Sequence, residues 1–259
     1  MSSVEFWSAA LERIELFPTA ICVAFLANSS GFSGGALFQP IIYFTQGLPL
    51  AQSVSTGIAT ETIGMSSGAT RYHLMKVIDW RLIRSSLAWV LIGVLGGYLF
   101  FKFASAKNLK TVLGCVLIGL SLLKFYELLR PSKQKPIVQK PRKLAALLGI
   151  IGGAGSASTG TGVCELHQPF FERKCGMPVV QANASAIATE AWGNICISIL
   201  NLSFGLVDFS VLVWTGPGAL IGAQLGAYSS RWIPTRFMKA AFSVCVFIIG
   251  SFYLYQTLR

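Results

Sequence analysis

Glu61 and Glu190 each close the tetrapeptide Ile-Ala-Thr-Glu, and each lies well inside an otherwise apolar stretch. An ionised carboxylate in such a setting is expensive, so it is paired, reached by water or protonated. Two such groups, preceded by the hydroxyls of Thr60 and Thr189, are candidates for carrying a proton or gating a site. A second reading is compatible with the first: each carboxyl hydrogen-bonds backbone groups that a broken helix leaves free.

Two polar, glycine-rich stretches supply such breaks. The first contains Ser29, Ser30, Gly31, Ser33, Gly34 and Gly35; the second contains Ser158, Thr159, Gly160, Thr161 and Gly162. Each precedes the expected start of a short helix, at Ala36 and Cys164. A helix N-terminus with free N–H groups is a site for an anion, and the Ser and Thr hydroxyls can donate to the same ligand. The competing reading is close helix packing, for which small residues are the usual material. Gln39 and Gln168 follow the breaks and each precedes a proline, Pro40 and Pro169. Gly31-Phe32-Ser33-Gly34 also fits the GxSG nucleophile motif of an intramembrane serine protease. A serine nucleophile needs a base within reach. His73 and His167 are the only histidines, and Ser33 aligns with Gly162 in the second half, so this alternative is weak.

The two sets are copies. Residues 47–61 (GLPLAQSVSTGIATE) and 176–190 (GMPVVQANASAIATE) share seven of fifteen positions at an offset of 129. Average composition would give roughly one match. The offset continues without a gap through Gln39/Gln168, Pro40/Pro169, Asp79/Asp208, Gly93/Gly222, Gly97/Gly226 and Lys110/Lys239. The Gly93/Gly97 and Gly222/Gly226 pairs each form GxxxG and read as helix-packing faces. Two long units with matched Gly/Pro breaks point to a transporter, with the transport site at the breaks.

Composition sets the environment. The chain is 53% hydrophobic and 12% charged, with a mean hydropathy of +0.62. That leaves too few polar residues to cover a soluble globule, so an integral membrane protein is expected. The net charge of +11 fits basic cytoplasmic loops. It does not mark a nucleic-acid surface, because the basic residues cluster between apolar runs instead of interleaving with aromatics. No nucleic-acid partner is expected. The six cysteines form no CxxC pair and read as small packing residues. Two histidines are too few for a metal site, and no P-loop is present, so neither metal nor cofactor is expected. Residues 1–15 lack a cationic n-region, and no cleavable signal peptide is expected.

Apolar runs fall at 16–46, 50–70, 82–104, 108–129, 144–171, 178–202, 210–229 and 237–256. Six have about the length needed to cross hydrocarbon; the first of each half is longer and broken. The units are a first transmembrane repeat, 16–129, a basic cytoplasmic linker, 130–143, and a second transmembrane repeat, 144–256. The linker has six basic residues, no acid and three prolines. If each broken segment crosses the membrane, the halves are parallel, and 12 basic residues lie inside against 8 outside. If each dips in and returns, the second half is inverted, and the split becomes 15 to 5. The inverted arrangement follows the positive-inside rule better. It also explains why loop 71–84 carries four basic residues and its counterpart 200–213 carries none.

The duplicated set resembles the sulfite exporter TauE/SafE family. The residues that carry the likeness are the break from Gly31 to Pro40, Gly47-Leu48-Pro49, the span through Ile58-Ala59-Thr60-Glu61, and Val77-Ile78-Asp79 before Gly93 and Gly97, with their counterparts in the second half. One departure is that Gly34-Gly35 is answered by Val163-Cys164. The resemblance implies export of sulfite, sulfonates or related small anions across a bacterial inner membrane.

The expectation is therefore an all-α integral membrane protein of two homologous, inverted halves, each with a broken first segment and three transmembrane helices. A small anionic substrate would bind between the breaks, at Ser29, Ser30, Gly31, Ser33, Gly34, Gly35 and Gln39 on one side. Ser158, Thr159, Gly160, Thr161, Gly162 and Gln168 would serve on the other. Glu61, Glu190, Thr60 and Thr189 would couple or gate. A proton gradient or the membrane potential would supply energy, and alternating access the mechanism. The expected partners are the substrate and the lipid bilayer, with a homodimer an admissible assembly. A passive anion channel is the main alternative; a membrane subunit serving a soluble partner is another.

Overall fold

A computed structural model describes residues 3–129, 142–233 and 235–258. Residues 130–141 of the expected linker lie outside that description. Among the described residues every regular element is a helix: α1 (Ser3–Leu11), α2 (Leu16–Ser30), α3 (Gly35–Gln46), α4 (Leu50–Leu74), α5 (Trp80–Phe103), α6 (Ala106–Leu129), α7 (Arg142–Thr159), α8 (Val163–Arg173), α9 (Val179–Ser203), α10 (Phe209–Ser229) and α11 (Thr235–Leu258). Each broken first run becomes two helices, α2/α3 and α7/α8. The N-terminal α1 was not expected from the sequence; its last turn is pinned by Trp214 Nε1, which donates to the Ala10 carbonyl at 2.6 Å.

The same local signals begin and end the helices at the same places in both halves. Pro49 and Pro178 precede α4 and α9 in near-identical extended conformations, φ −52° and −54°, where proline's fixed φ and missing N–H suit a helix start. Asp79 and Asp208 cap α5 and α10 through backbone N–H groups of the first turn.

Among the described residues, four helical segments are long and apolar enough to cross a membrane: Trp80–Phe103, Ala106–Leu129, Phe209–Ser229 and Phe237–Thr257. Six runs of that length were expected. The two that differ are α4 and α9, with 25 residues each. Many of their polar residues, among them Ser53, Thr56, Thr60, Glu61, Asn183, Ser185, Glu190 and Asn194, are buried inside the protein, so their composition is more polar than that of a span facing lipid. Rows of exposed apolar side chains, such as Leu95, Leu99, Leu122, Leu225 and Ile248, lie on the other long helices.

The halves interlock. On α5, a Cβ at Gly93 or Gly97 would overlap the carbonyl of Ile150 or Ala154 on α7. On α10, Gly222 and Gly226 lie equally close to the carbonyls of Ile21 and Phe25 on α2. The GxxxG pairs are thus backbone-contact faces, and each half's α5-type helix runs alongside the other half's first helix, in the same direction. The equivalent pair α6 and α11 packs with opposite sense. Gly114 meets Leu254, Leu117 meets Gly250, and Ser121 Oγ donates to the Ser243 carbonyl at 2.8 Å.

Candidate functional site

The two breaks meet in the interior. Helix α2 ends at Ser30 and turns through Gly31, with φ 77°; α7 ends at Thr159 and turns through Gly160, with φ 64°. These left-handed turns favour glycine. From the first break, Ser33 Oγ lies 2.7 Å from the Gly160 carbonyl of the second. A Cβ on Gly35 would collide with that same carbonyl. Gln39 on α3 donates its side-chain amide to the Thr159 carbonyl. Ser33, Gln39, Thr159 and Thr161 are all fully buried.

A broken helix leaves the first N–H groups of the next helix without partners. Here side-chain carboxylates satisfy them. Glu61 receives a backbone hydrogen bond from Gly35, a contact with Ser33 Oγ at 2.5 Å and a bond from Asn194 Nδ2 at 3.2 Å. Glu190 accepts the Cys164 N–H at 2.9 Å and the Ser156 hydroxyl at 2.7 Å. Gly35 and Cys164 are themselves 129 residues apart, so the matched glutamates hold matched N–H groups. In this conformation the helix starts expected to bind an anion are occupied by the protein's own carboxyl groups, which accept their first N–H groups.

A third carboxylate was not expected. Glu165 accepts the Ser33 N–H at 2.9 Å through one oxygen and the Gly162 N–H at 2.8 Å through the other. It ties both breaks together. Its signal in the sequence is an acid in the first turn of a helix, the position that reaches back to an N-terminal N–H. Its counterpart in the first half is Ala36, so comparison of the copies passed over it.

The hydroxyls divide. Ser29 and Ser30 donate to the Leu26 carbonyl, Ser158 to Ala154 and Thr159 to Gly155; all four bond within their own helices. Ser33 and Thr161 do not. Ser33 joins Glu61 to Gly160, and Thr161 Oγ1 is buried with no hydrogen-bond partner among the described residues. Thr60 meets Thr215 at 2.7 Å, whereas Thr189 bonds its own helix at Ser185. Gln168 donates to Glu172 at 2.7 Å and accepts from Lys124 at 3.3 Å. Gly34 forms the turn before α3 and contributes only backbone.

The histidines lie elsewhere. His167 Nδ1 faces the Val163 carbonyl at 3.1 Å, and His73 meets Trp80 Nε1 at 3.3 Å. The partners of the Ser33 hydroxyl are Glu61 and Gly160, so no imidazole activates it here.

The family model described as sulfite exporter TauE/SafE matches residues 16–253. The chain belongs to this family. The match covers both breaks, both glutamates and the whole duplicated core. The chain is also similar to a probable membrane transporter protein, YjnA, of Bacillus subtilis (strain 168). The two are 27% identical over 256 residues, which cover 88% of this chain and 95% of the relative. No solved structure matches the chain. Family membership and the apolar helices make this a multi-pass membrane transporter of the TauE/SafE family.

Proposed function

We propose that the chain is a secondary transporter that exports a small sulfur-containing anion, sulfite or an organosulfonate, across a bacterial inner membrane. The observation that carries this reading is the pairing of Glu61 with the start of α3 and of Glu190 with the start of α8, where the two breaks meet. Backbone N–H groups at matched breaks are the means by which such folds hold anions. The family's description supports the sulfur oxyanion.

The halves are inverted in this reading. Equivalent helices α6 and α11 pack antiparallel, as a two-fold axis in the membrane plane requires, and the 15-to-5 split of basic residues agrees. The exposed apolar rows face lipid. Glu61 and Glu190 switch the site by gaining and losing a proton. Ser33 has one hydroxyl proton and two oxygen neighbours, Glu61 at 2.5 Å and Gly160 at 2.7 Å. A protonated Glu61 satisfies both contacts: it donates to Ser33, which donates to Gly160. Loss of that proton leaves one contact unmade and loosens the junction of the breaks. An inside-negative potential assists the anion's exit.

Burial of the residues at the junction supports an occluding carrier over a passive channel on the same scaffold. Purified protein in liposomes is expected to exchange sulfite with saturable kinetics and to pass no unitary currents in planar bilayers. Ohmic single-channel currents carried by sulfite would overturn the carrier reading.

A further inference from the structure

Lys124 is a buried cation, 2% exposed, in the C-terminal half of helix α6. Its ammonium has three donors. One reaches Glu127 at 3.2 Å and one reaches Gln168 at 3.3 Å; the Phe32 ring lies 4.9 Å away. Beside it is a small cavity of about 10 Å³, lined by Phe32, Lys124, Thr161, Glu165 and Phe242, with room for roughly one water. The Phe32 and Phe242 rings stack at 4.4 Å to form an apolar wall. Thr161, fully buried, lines the cavity, and its Oγ1 has no hydrogen-bond partner among the described residues. Glu165 lines it too, and its oxygens hold the N–H groups of Ser33 and Gly162.

We propose that this cavity is the oxyanion subsite, and that the Glu165 carboxylate occupies the ligand's place in the empty, closed state. The ligand class is a small pyramidal or tetrahedral oxyanion. Lys124 supplies the counter-charge, Thr161 a hydroxyl, and Ser33 and Gly162 the backbone donors once Glu165 swings away. Movement of that carboxylate provides the volume that the present cavity lacks. The cluster has no copy in the other half: the positions matching Lys124, Thr161 and Glu165 are Tyr253, Phe32 and Ala36. The duplicated fold therefore carries one anion subsite, displaced to one side of the junction, and not two equal half-sites. This rests on the reading of the chain as an anion transporter.

The test is titration calorimetry of the purified, monodisperse full chain with sodium sulfite. Wild type binds. Lys124→Met weakens binding by roughly ten- to a hundred-fold, the worth of a hydrogen bond to a charged group. Thr161→Val, which changes little in shape, weakens it by a few-fold and serves where Lys124→Met does not fold. Glu165→Gln tightens binding, because it removes the competing charge and keeps an acceptor. A merely structural Glu165 would give no gain. Sulfite binding unchanged in both Lys124→Met and Thr161→Val, or weakened in Glu165→Gln, overturns the subsite while leaving the transport reading intact. No binding of sulfite, sulfate or thiosulfate by wild type overturns the transport reading and the subsite with it.

Discussion

Glu165 accepts the backbone N–H of Ser33 at 2.9 Å, across 132 residues of sequence. Its second oxygen holds Gly162, so one side chain closes the junction of the two breaks. Glu165→Ala leaves two buried N–H groups unpaired, at about 1–3 kcal/mol each. The thermal midpoint in detergent is expected to fall by roughly 5 °C or more for a chain of this size. Glu165→Gln, which keeps one of the two acceptors, is expected to lose about half as much.

The interlock of the halves depends on missing side chains. Gly93→Ala sets a methyl against the Ile150 carbonyl, and Gly222→Ala sets one against that of Ile21. Each is expected to cost about 1–3 kcal/mol by overpacking. Gly96→Ala is the control, since nothing lies within 4 Å of its Cβ position. Comparing midpoints of the three variants checks the contact faces directly.

Lys76 holds φ 57°, and its counterpart Gly205 holds φ 66°. The turn needs a left-handed residue in both copies, and one copy uses lysine. Lys76→Gly is expected to stabilise the protein by about 0.5–1 kcal/mol, the relief of the Cβ clash less the entropy glycine loses. Gly205→Ala is expected to cost a similar amount, with no steric contribution from neighbours.

Asp208 couples the N-terminus to α10. Burial raises its pKa, but hydrogen bonds from Ser210, the charge of Arg13 and the Val211 N–H outweigh that and hold it below the ordinary Asp value. A depressed carboxylate stabilises the fold above its unfolded pKa, and the gain is lost as pH falls through the folded value. Asparagine still caps the helix, but Asp208→Asn loses the charge facing Arg13 and the helix N-terminus, and is therefore expected to be less stable than wild type at neutral pH by about 0.3–1 kcal/mol. The gap should close on acidification below the ordinary carboxylate range. Chemical denaturation at several pH values reads it.

Much of this was legible because the chain repeats itself. The breaks at Gly31 and Gly160 and the pairing of Glu61 and Glu190 with helix starts follow from features present twice; the match of Asp79 with Asp208 was visible, but not that both cap helices. What the repeat could not show is what occurs once. Glu165 aligns with Ala36, and Lys124 aligns with Tyr253, so matching the copies filtered both out. The hydroxyls misled in another way. Composition marks Ser29, Ser30, Ser158 and Thr159 as donors, but a Ser or Thr near a helix end readily bonds the carbonyl a turn before it, as all four do. Only the fold separates them from Ser33 and Thr161.

In the proposed carrier, Glu61 and Glu190 switch the site by gaining and losing a proton. The most direct measurement is sulfite efflux from proteoliposomes over a range of pH, for wild type, Glu61→Gln and Glu190→Gln, each checked for monodispersity. Wild type is expected to show saturable, pH-dependent efflux, and both variants slower efflux with a flattened pH profile. Wild-type rates and an unchanged pH profile in both variants would contradict that switch.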